Sequence, residues 1–456
     1  MSPRKSSTRL ESGSPISGAG LRGRLSRGIG WNLAGAVFNQ GSTFLVNVFL
    51  ANDLGRTVFG KYAILQSTVL MLATLAQLAC GYTATKYVAE FRTSDPSRAG
   101  RVLGLCYLVS AAMAFVAALL MLTAAPWIAG SILHVPSLVP TLRIASGAVL
   151  FTVLNGFLMG ALAGLEDYRK LAAAFVASGI CYVVFCGAGT LLAGLDGAVV
   201  GLGLSGLAQW FFLRAAVRAA CAKQAIVIDW AGAWSERRIV ATFTLPAALS
   251  GFVSMPAFWL ANALVVRSAD GLSQIALYGA ANSFRTIVLF APAIVNKVGM
   301  SLINHQRGLR DDRRYSKLFW ANFGLTAGAV AAGAVVIVAL GPRILRVFGR
   351  DFMVGSNVLN VLMLAAIAEA ACLAVYQAIQ SRGKLWLSFV AVSLPRDVSI
   401  VVLAYFLAPR SGALGLSWAY AIGWCFALAA VMVVVATGRL SSRTHEPAHF
   451  PSGAAP

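Results

Sequence analysis

The sequence predicts an all-α membrane protein, with about 12 transmembrane helices in two parallel six-helix lobes around a central cavity. Composition, recurring apolar runs and internal repetition lead there. Of 456 residues, 58% are hydrophobic and only 12% charged, and the mean hydropathy is +0.76. Soluble domains carry about 25% charged residues, so this chain is built for lipid.

Apolar runs of about 20 residues, each long enough as a helix to cross a hydrocarbon core of about 30 Å, recur along the whole length. They fall near 30–52, 62–84, 102–124, 142–164, 171–193, 197–217, 239–265, 277–300, 318–340, 355–378, 385–408 and 412–437. The runs are unbroken rather than alternating, which predicts helices and not a barrel. The expected organisation is a basic disordered tail (1–29), a first lobe (30–217), an interfacial linker (218–238), a second lobe (239–437) and a disordered tail (438–456). Residues 1–29 lack a short apolar core with a small-residue cleavage site, so the first span is expected to act as its own insertion signal.

Basic residues give the orientation. The tails and the loops sharing their side hold 26 Lys and Arg; the opposite loops hold 7, namely Arg56, Lys61, Arg267, Arg343, Arg346, Arg350 and Arg410. Both termini are therefore expected in the cytoplasm. The same asymmetry accounts for most of the net charge of +21, so nucleic-acid binding is not required. Trp31, Trp127, Trp320 and Trp386 fall near span ends, where amphipathic rings favour the interface. The segment 214–238 reads as an interfacial helix anchored by Trp230 and Trp234.

Chemistry-bearing motifs are scarce. The 7 cysteines form neither an external pair nor a CxxC spacing and read as small packing residues; the 4 histidines lie in loops or the tail. The external loops 125–141 and 341–354 are too short for a catalytic domain, and no nucleotide, zinc or nucleophile-elbow motif is present. No cofactor or metal is expected, and the chain reads as a transporter rather than an enzyme.

Repetition organises the rest. Gly55, Tyr62, Gln66 and Ser67 in LGRTVFGKYAILQS answer to Gly271, Tyr278, Asn282 and Ser283 in DGLSQIALYGAANS, offset 216. DGA (196–198) pairs with SGA (411–413) at offset 215, and YRKL (168–171) with RGKL (382–385) at 214. An offset of six spans predicts parallel repeats about an axis along the membrane normal, enclosing a site at their interface.

Few ionisable residues remain inside the spans. Arg285 and Arg396 lie about 12 Å and about 17 Å from the nearest span end by helical rise. Lys297 lies near a span end, and among carboxylates only Glu369 and Asp397 are comparably deep. Each such charge costs on the order of 3 kcal/mol, so it should face a partner or water. Three readings stand: structural ion pairs between spans, a proton or sodium site at Glu369 or Asp397, or an arginine receptor for an anionic headgroup. Neighbouring helix residues point about 100° apart, so Arg396 and Asp397 are not expected to pair. Pro292 and Pro395 should kink their helices. Asn32, Asn39, Gln40, Thr43 and Asn47 share an arc of about 100°, either lining a cavity or hydrogen-bonding between helices.

The stretches GWNLAGAVFNQGSTFLVNVFLANDLGRTVFGKYAILQS, GYTATKYVAEFRTSDPSRAGRVLG, GLEDYRKLA, TLPAALSGF and YGAANSFR together resemble the Wzx-like oligosaccharide flippases of the multidrug/oligosaccharidyl-lipid/polysaccharide exporter superfamily. The resemblance implies translocation of an undecaprenyl-diphosphate-linked oligosaccharide across the bacterial cytoplasmic membrane by alternating access. It implies a cationic cavity that receives the diphosphate, with Arg285 in the matching YGAANSFR stretch and Arg396 as a second candidate; the residue pattern itself adds Lys297, Asn39, Gln40, Asn47 and Asn282 as expected substrate-binding residues and Glu369 or Asp397 as an expected ion-coupling site. Membrane lipids, and polysaccharide polymerase and chain-length machinery, are the implied partners. A cation-coupled multidrug exporter of the same superfamily is the alternative. The orientation predicts that a fluorescent protein fused after Pro456 is fluorescent in intact cells, and that alkaline phosphatase fused within 341–354 is active; the reverse pattern would invert the assignment.

Overall fold

A computed structural model describes residues 18–308, 312–380 and 389–436. The chain is nearly all helix: α1 (Gly18–Ala76), α2 (Cys80–Phe91), α3 (Pro96–Trp127), α4 (Val139–Gly164), α5 (Tyr168–Lys223), α6 (Leu245–Val266), α7 (Gly271–Gly308), α8 (Asp312–Leu340), α9 (Ser356–Gln380) and α10 (Leu394–Ala436). Among the described residues, seven helices are long and apolar enough to cross a membrane.

Three helices turn back inside their own length. α1 runs 59 residues, several times what one crossing needs. It breaks at Gly55 (φ 75°, ψ 170°), α5 at Ala193–Gly194 (φ 57°, ψ −130° at the glycine), and α10 at Gly412 (φ 53°, ψ −127°). Positive φ at these corners is what glycine supplies without steric cost. The limbs of α5 then press together, since a Cβ on Gly197 would lie 1.9 Å from the Gly189 carbonyl oxygen. In α10 a Cβ on Gly415 would lie 2.3 Å from that of Leu407. Gly194, Gly197 and Gly189 thus correspond to Gly412, Gly415 and Leu407 at offset 218. The DGA and SGA pairing expected at 215 is therefore out of register by three residues.

The remaining expected spans fall on these helices, with two differences. Span 62–84 is cut at Leu78 and Ala79, both in left-handed backbone (φ 44° and 55°), so that Gly81 can meet α4 at Gly156 and Gly160. The linker is not an interfacial helix. α5 stops at Lys223, residues 226–229 are extended, and only a short 3-10 turn at Ala233–Glu236 follows. The backbone is held because Gly100 and Gly104 on α3 open a groove for it: a Cβ on Gly100 would lie 1.9 Å from the Val227 carbonyl oxygen. Glu236 closes the strap, accepting from Arg98 Nε at 3.0 Å and Nη2 at 3.2 Å and from Arg101 Nη2 at 3.5 Å. Trp230 and Trp234 remain exposed beside it, as do Trp31, Trp127 and Trp320, while Trp386 lies outside the described residues.

Packing is dense within 18–223 (α1 on α5 and α4, α3 on α4, α4 on α5) and within 245–436 (α6 and α9 on α10, α7 on α8, α9 on α7 and α8). Contact across the middle runs from α1 to α6 and α7. Pro292 is buried inside α7. Pro395 is not a mid-helix kink but the second residue of α10, directly after a π turn at Phe389–Ser393. α6 begins the same way, with the π turn Val240–Thr244 before Leu245 and Pro246. In both places proline lacks the N–H that an α-helical continuation would use, and the wider turn absorbs the loss.

At one end the two halves are closed on each other. Arg56 on α1 reaches Asp270 at 3.3 Å and the Asp351 carbonyl at 3.3 Å, and Thr57 and Ser273 share a hydrogen bond of 3.0 Å. Asn52 donates to the Val347 carbonyl at 2.7 Å. Beneath these contacts Phe44, Phe59, Phe284, Phe348 and Phe352 form a ring-edge cluster with centroids 5.4–6.2 Å apart. The helix crossings make a stability prediction. A Cβ on Gly160 would lie 2.2 Å from the Gly81 carbonyl oxygen, whereas one on Gly41 meets nothing within 4 Å. Gly160→Val should lower thermal stability of the detergent-solubilised protein by about 1–3 kcal/mol while Gly41→Val leaves it nearly unchanged.

Candidate functional site

A cavity of about 510 Å³ lies where α1, α4 and α5 face α6 and α7. Its walls repeat. Phe59, Tyr62, Ala63, Gln66, Ser67 and Leu70 on the second limb of α1 line it, and so do Ile275, Tyr278, Gly279, Asn282, Ser283 and Thr286 on α7, each 216 positions later. Gln40, Thr43 and Asn47 on the first limb of α1 are matched by Met255, Phe258 and Asn262 on α6, 215 positions later. Two related helix pairs thus present the same faces to one space. Of the polar stripe read from the sequence, Gln40, Thr43 and Asn47 are cavity wall; Asn39 is not among the lining residues, its carbonyl instead accepting from Thr43 Oγ1 at 3.0 Å, and the side chain of Asn32 lies outside the described residues.

Among the described residues, no ionisable Asp, Glu, Lys, Arg or His lines the cavity. Its wall mixes amides, hydroxyls and aromatic rings with aliphatic side chains, among them Val69, Leu70, Met71, Leu202, Met255 and Ile275. Asn47 is a lining residue whose Oδ1 is buried without a hydrogen-bond partner among the described residues. Tyr62 on one side is backed by Tyr182, the hydroxyls 2.9 Å apart. Across the middle, Trp259 Nε1 donates to Thr68 Oγ1 at 2.8 Å.

Behind Asn282 stands the first deep arginine. Arg285 Nε donates to Asn282 Oδ1 at 2.8 Å, and Nη1 donates to Tyr420 Oη at 2.7 Å and to the Glu369 carboxylate. Tyr420 in turn donates to Glu369 Oε2 at 3.1 Å, and the guanidinium carbon lies 4.7 Å from its ring centre. Three helices, α7, α9 and α10, therefore close a ring of hydrogen bonds around one ion pair. Side-chain exposures of 13% for Arg285 and 11% for Glu369 leave the pair little contact with solvent. The cationic chamber expected from the sequence is, in this conformation, a neutral chamber with a compensated cation one residue behind its wall.

The second arginine is also paired, with the residue expected not to reach it. Arg396 Nη2 lies 2.6 Å from Asp397 Oδ1 and Nε donates to the same oxygen at 2.7 Å. Cβ directions about 100° apart do not prevent this, because the long arginine side chain folds back over the helix start. Ser254 on α6 joins them, donating to Asp397 Oδ2 at 2.5 Å and accepting from Arg396 Nη2 at 3.2 Å. Asp397 also sits in the first turn of α10, where the helix dipole favours a carboxylate. Rings connect the two arginines: Arg396 packs 4.4 Å from the centre of Trp424 and 5.7 Å from that of Phe258, and Phe258 lies 5.7 Å from Tyr420. Phe258 is itself cavity wall.

The structure therefore brings Gln40, Asn47 and Asn282 to the cavity and sets Arg285 with Glu369 immediately behind it. Arg396 and Asp397 form a separate cluster, and the side chain of Lys297 lies outside the described residues. Tyr420, Tyr62, Tyr278, Gln66 and Asn262 were not singled out as site residues in the sequence. The recurrence of Tyr62, Gln66 and Ser67 as Tyr278, Asn282 and Ser283 was the signal for three of the paired positions.

Comparison with known proteins agrees with this architecture. The family model described as "Polysaccharide biosynthesis protein" matches residues 25–300. The EPS I polysaccharide export inner membrane protein EpsE of Ralstonia nicotianae is 24% identical over 395 residues, covering 83% of this chain and 86% of the relative. EpsE of Ralstonia solanacearum is 23% identical with the same coverage. Among solved structures, the lipid II flippase MurJ in an inward closed conformation superposes with a TM-score of 0.72 at 13% identity, over 88% of this chain and 86% of that one. An inward-facing multidrug resistance MATE family transporter of the MOP superfamily gives 0.71 at 17%, over 90% and 93%. With a paired-repeat cavity, the fold of these transporters and a family match over more than half its length, the chain belongs to the polysaccharide biosynthesis protein family of multi-pass membrane proteins.

Proposed function

We propose that the protein is a flippase that carries an undecaprenyl-diphosphate-linked oligosaccharide from the cytoplasmic to the periplasmic leaflet of the bacterial inner membrane by alternating access. Its product would feed surface or exopolysaccharide synthesis. The observation that carries this reading is a cavity between two repeats whose described wall carries amides, hydroxyls and aromatic rings among aliphatic side chains and no charge, backed on one side by a paired arginine. Sugars offer hydroxyl donors and acceptors and apolar ring faces, which such a wall complements. The prenyl tail needs no carrier, whereas the diphosphate is an ion that hydrocarbon excludes.

Arg285 is the group suited to the diphosphate. A planar, permanently charged guanidinium binds phosphate oxygens in pairs, and Asn282 already connects it to the cavity. Glu369 holds that charge in this structure; arrival of the diphosphate, or a proton on Glu369, would free the guanidinium for the cargo. The first half has no such group at the matching places, where Val69 and Leu202 stand opposite Arg285 and Tyr420 at offsets 216 and 218. The repeat architecture therefore packs with apolar residues there, which favours a role in transport over a role in packing. With the cell interior negative, outward movement of each negative charge gains about 2.3 kcal/mol per 100 mV, and coupling to an ion through Glu369 or Asp397 is compatible with the same geometry. A cation-coupled drug exporter would want a free carboxylate facing the cavity, and among the described residues none lines it.

Truncating one member of a buried ion pair is itself destabilising by about 3–5 kcal/mol, so the test needs both singles and the double. Arg285→Gln should lower both stability and polysaccharide export, with lipid-linked sugar accumulating on the cytoplasmic leaflet. Arg285→Gln with Glu369→Gln should restore stability and leave export abolished; export recovered in the double variant would make the pair structural. Closure is tested separately: Thr57→Cys with Ser273→Cys should cross-link on mild oxidation and halt export until a reductant is added, because the native hydroxyls lie 3.0 Å apart. Export undiminished in the cross-linked protein would refute opening at this end.

A further inference from the structure

A second cleft, of about 150 Å³, opens on the first half, far from the repeat interface and beside the linker strap. Leu103 and Tyr107 of α3 and Phe157 and Leu158 of α4 make its apolar wall. Trp230 of the strap covers one side, its ring 5.4 Å from that of Tyr107. Arg214, Val217 and Arg218 of α5 and Ile228 of the strap complete the lining, and among the described residues no carboxylate joins it.

These two cations lack, among the described residues, the counter-ions that three of their neighbours have. Arg92, Arg98 and Arg101 at the same end of the bundle are each bridged to Glu166 or Glu236. Among the described residues no ion pair involves Arg214 or Arg218; Arg214 has only the face of Trp210, 4.8 Å away. They stand one helical turn apart, where like charges repel. An anion between them would relieve that repulsion, and the apolar cleft beneath would receive a hydrocarbon chain attached to it. Exposed Trp230 and Trp234 at the same end mark the depth at which headgroups lie.

We propose that this cleft is a binding site for an anionic phospholipid, its phosphate between Arg214 and Arg218 and part of an acyl chain against Leu103, Phe157 and Leu158. The lipid would thereby fasten the strap, since Trp230 belongs to both. It is a resident lipid of the bilayer, distinct in place from the cargo in the central cavity.

The test uses the full chain in detergent with equal amounts of palmitoyl-oleoyl phosphatidylglycerol and phosphatidylcholine, with retained lipid counted by native mass spectrometry. The wild type should retain phosphatidylglycerol in preference. Arg214→Gln with Arg218→Gln should cut that retention about tenfold, two basic contacts being lost. Arg237→Gln with Arg238→Gln removes as much charge from exposed positions nearby and should leave retention unchanged. Equal retention by the Arg214 and Arg218 double variant, equal retention of both lipids by the wild type, or an equal loss in the Arg237 and Arg238 control would each overturn the site. A cleft-filling Leu158→Trp variant, monodisperse on size exclusion, should also lose the lipid with both arginines in place; retention there would overturn the acyl half of the proposal.

Discussion

The placement of Arg285 against Glu369 is the constraint around which the second half is arranged. An arginine this deep in a membrane bundle is tolerated only with its charge answered, and the answer comes from three helices at once through Glu369, Tyr420 and Asn282. That ring ties α7, α9 and α10 together on the side away from the cavity. Its fourth member, Asn282, is part of the wall, so any ligand that competes for Asn282 also perturbs the ion pair. Binding in the chamber and packing of the second half are in this way one electrostatic problem.

The two halves solve the same structural task with different chemistry. Behind Tyr62 in the first half is another neutral hydroxyl, Tyr182; behind Asn282 in the second is a cation with its counter-ion. The positions facing the cavity correspond, with Asn, Tyr and Ser kept at Asn47 and Asn262, Tyr62 and Tyr278, and Ser67 and Ser283, while the layer behind them has diverged. Corresponding wall positions with an asymmetric backing would suit the two-part cargo proposed above.

Much of this was legible in the sequence. Apolar runs marked the helices, and the 216-residue recurrence of Tyr, amide and Ser marked the very faces that meet in the cavity. Arg285, Arg396, Glu369 and Asp397 stood out because charge is so rare inside the spans. What could not be read was which charges meet. Arg285, Glu369 and Tyr420 lie on three helices whose relative rotation depends on packing, and no spacing encodes it. Arg396 and Asp397 were misjudged because Cβ directions were taken for guanidinium positions. The strap at 226–236 was read as helix because its tryptophans look like interface anchors; the reason it is extended lies on another helix, in the space left by Gly100 and Gly104.

That strap has a mechanical meaning. From Val227 to Glu236 it is stapled to α3 by backbone contact and by a bidentate arginine clamp, so it belongs to the first half as a rigid body. The slack in the covalent tether is thereby reduced to the few residues around the π turn at Val240–Thr244, where Thr83 and Thr244 share a hydrogen bond of 2.8 Å. Two bodies joined at so short a leash cannot drift apart or shear freely along their seam. Whatever swing they make relative to each other must be geared about this one corner, which gives the machine a fulcrum at a known address.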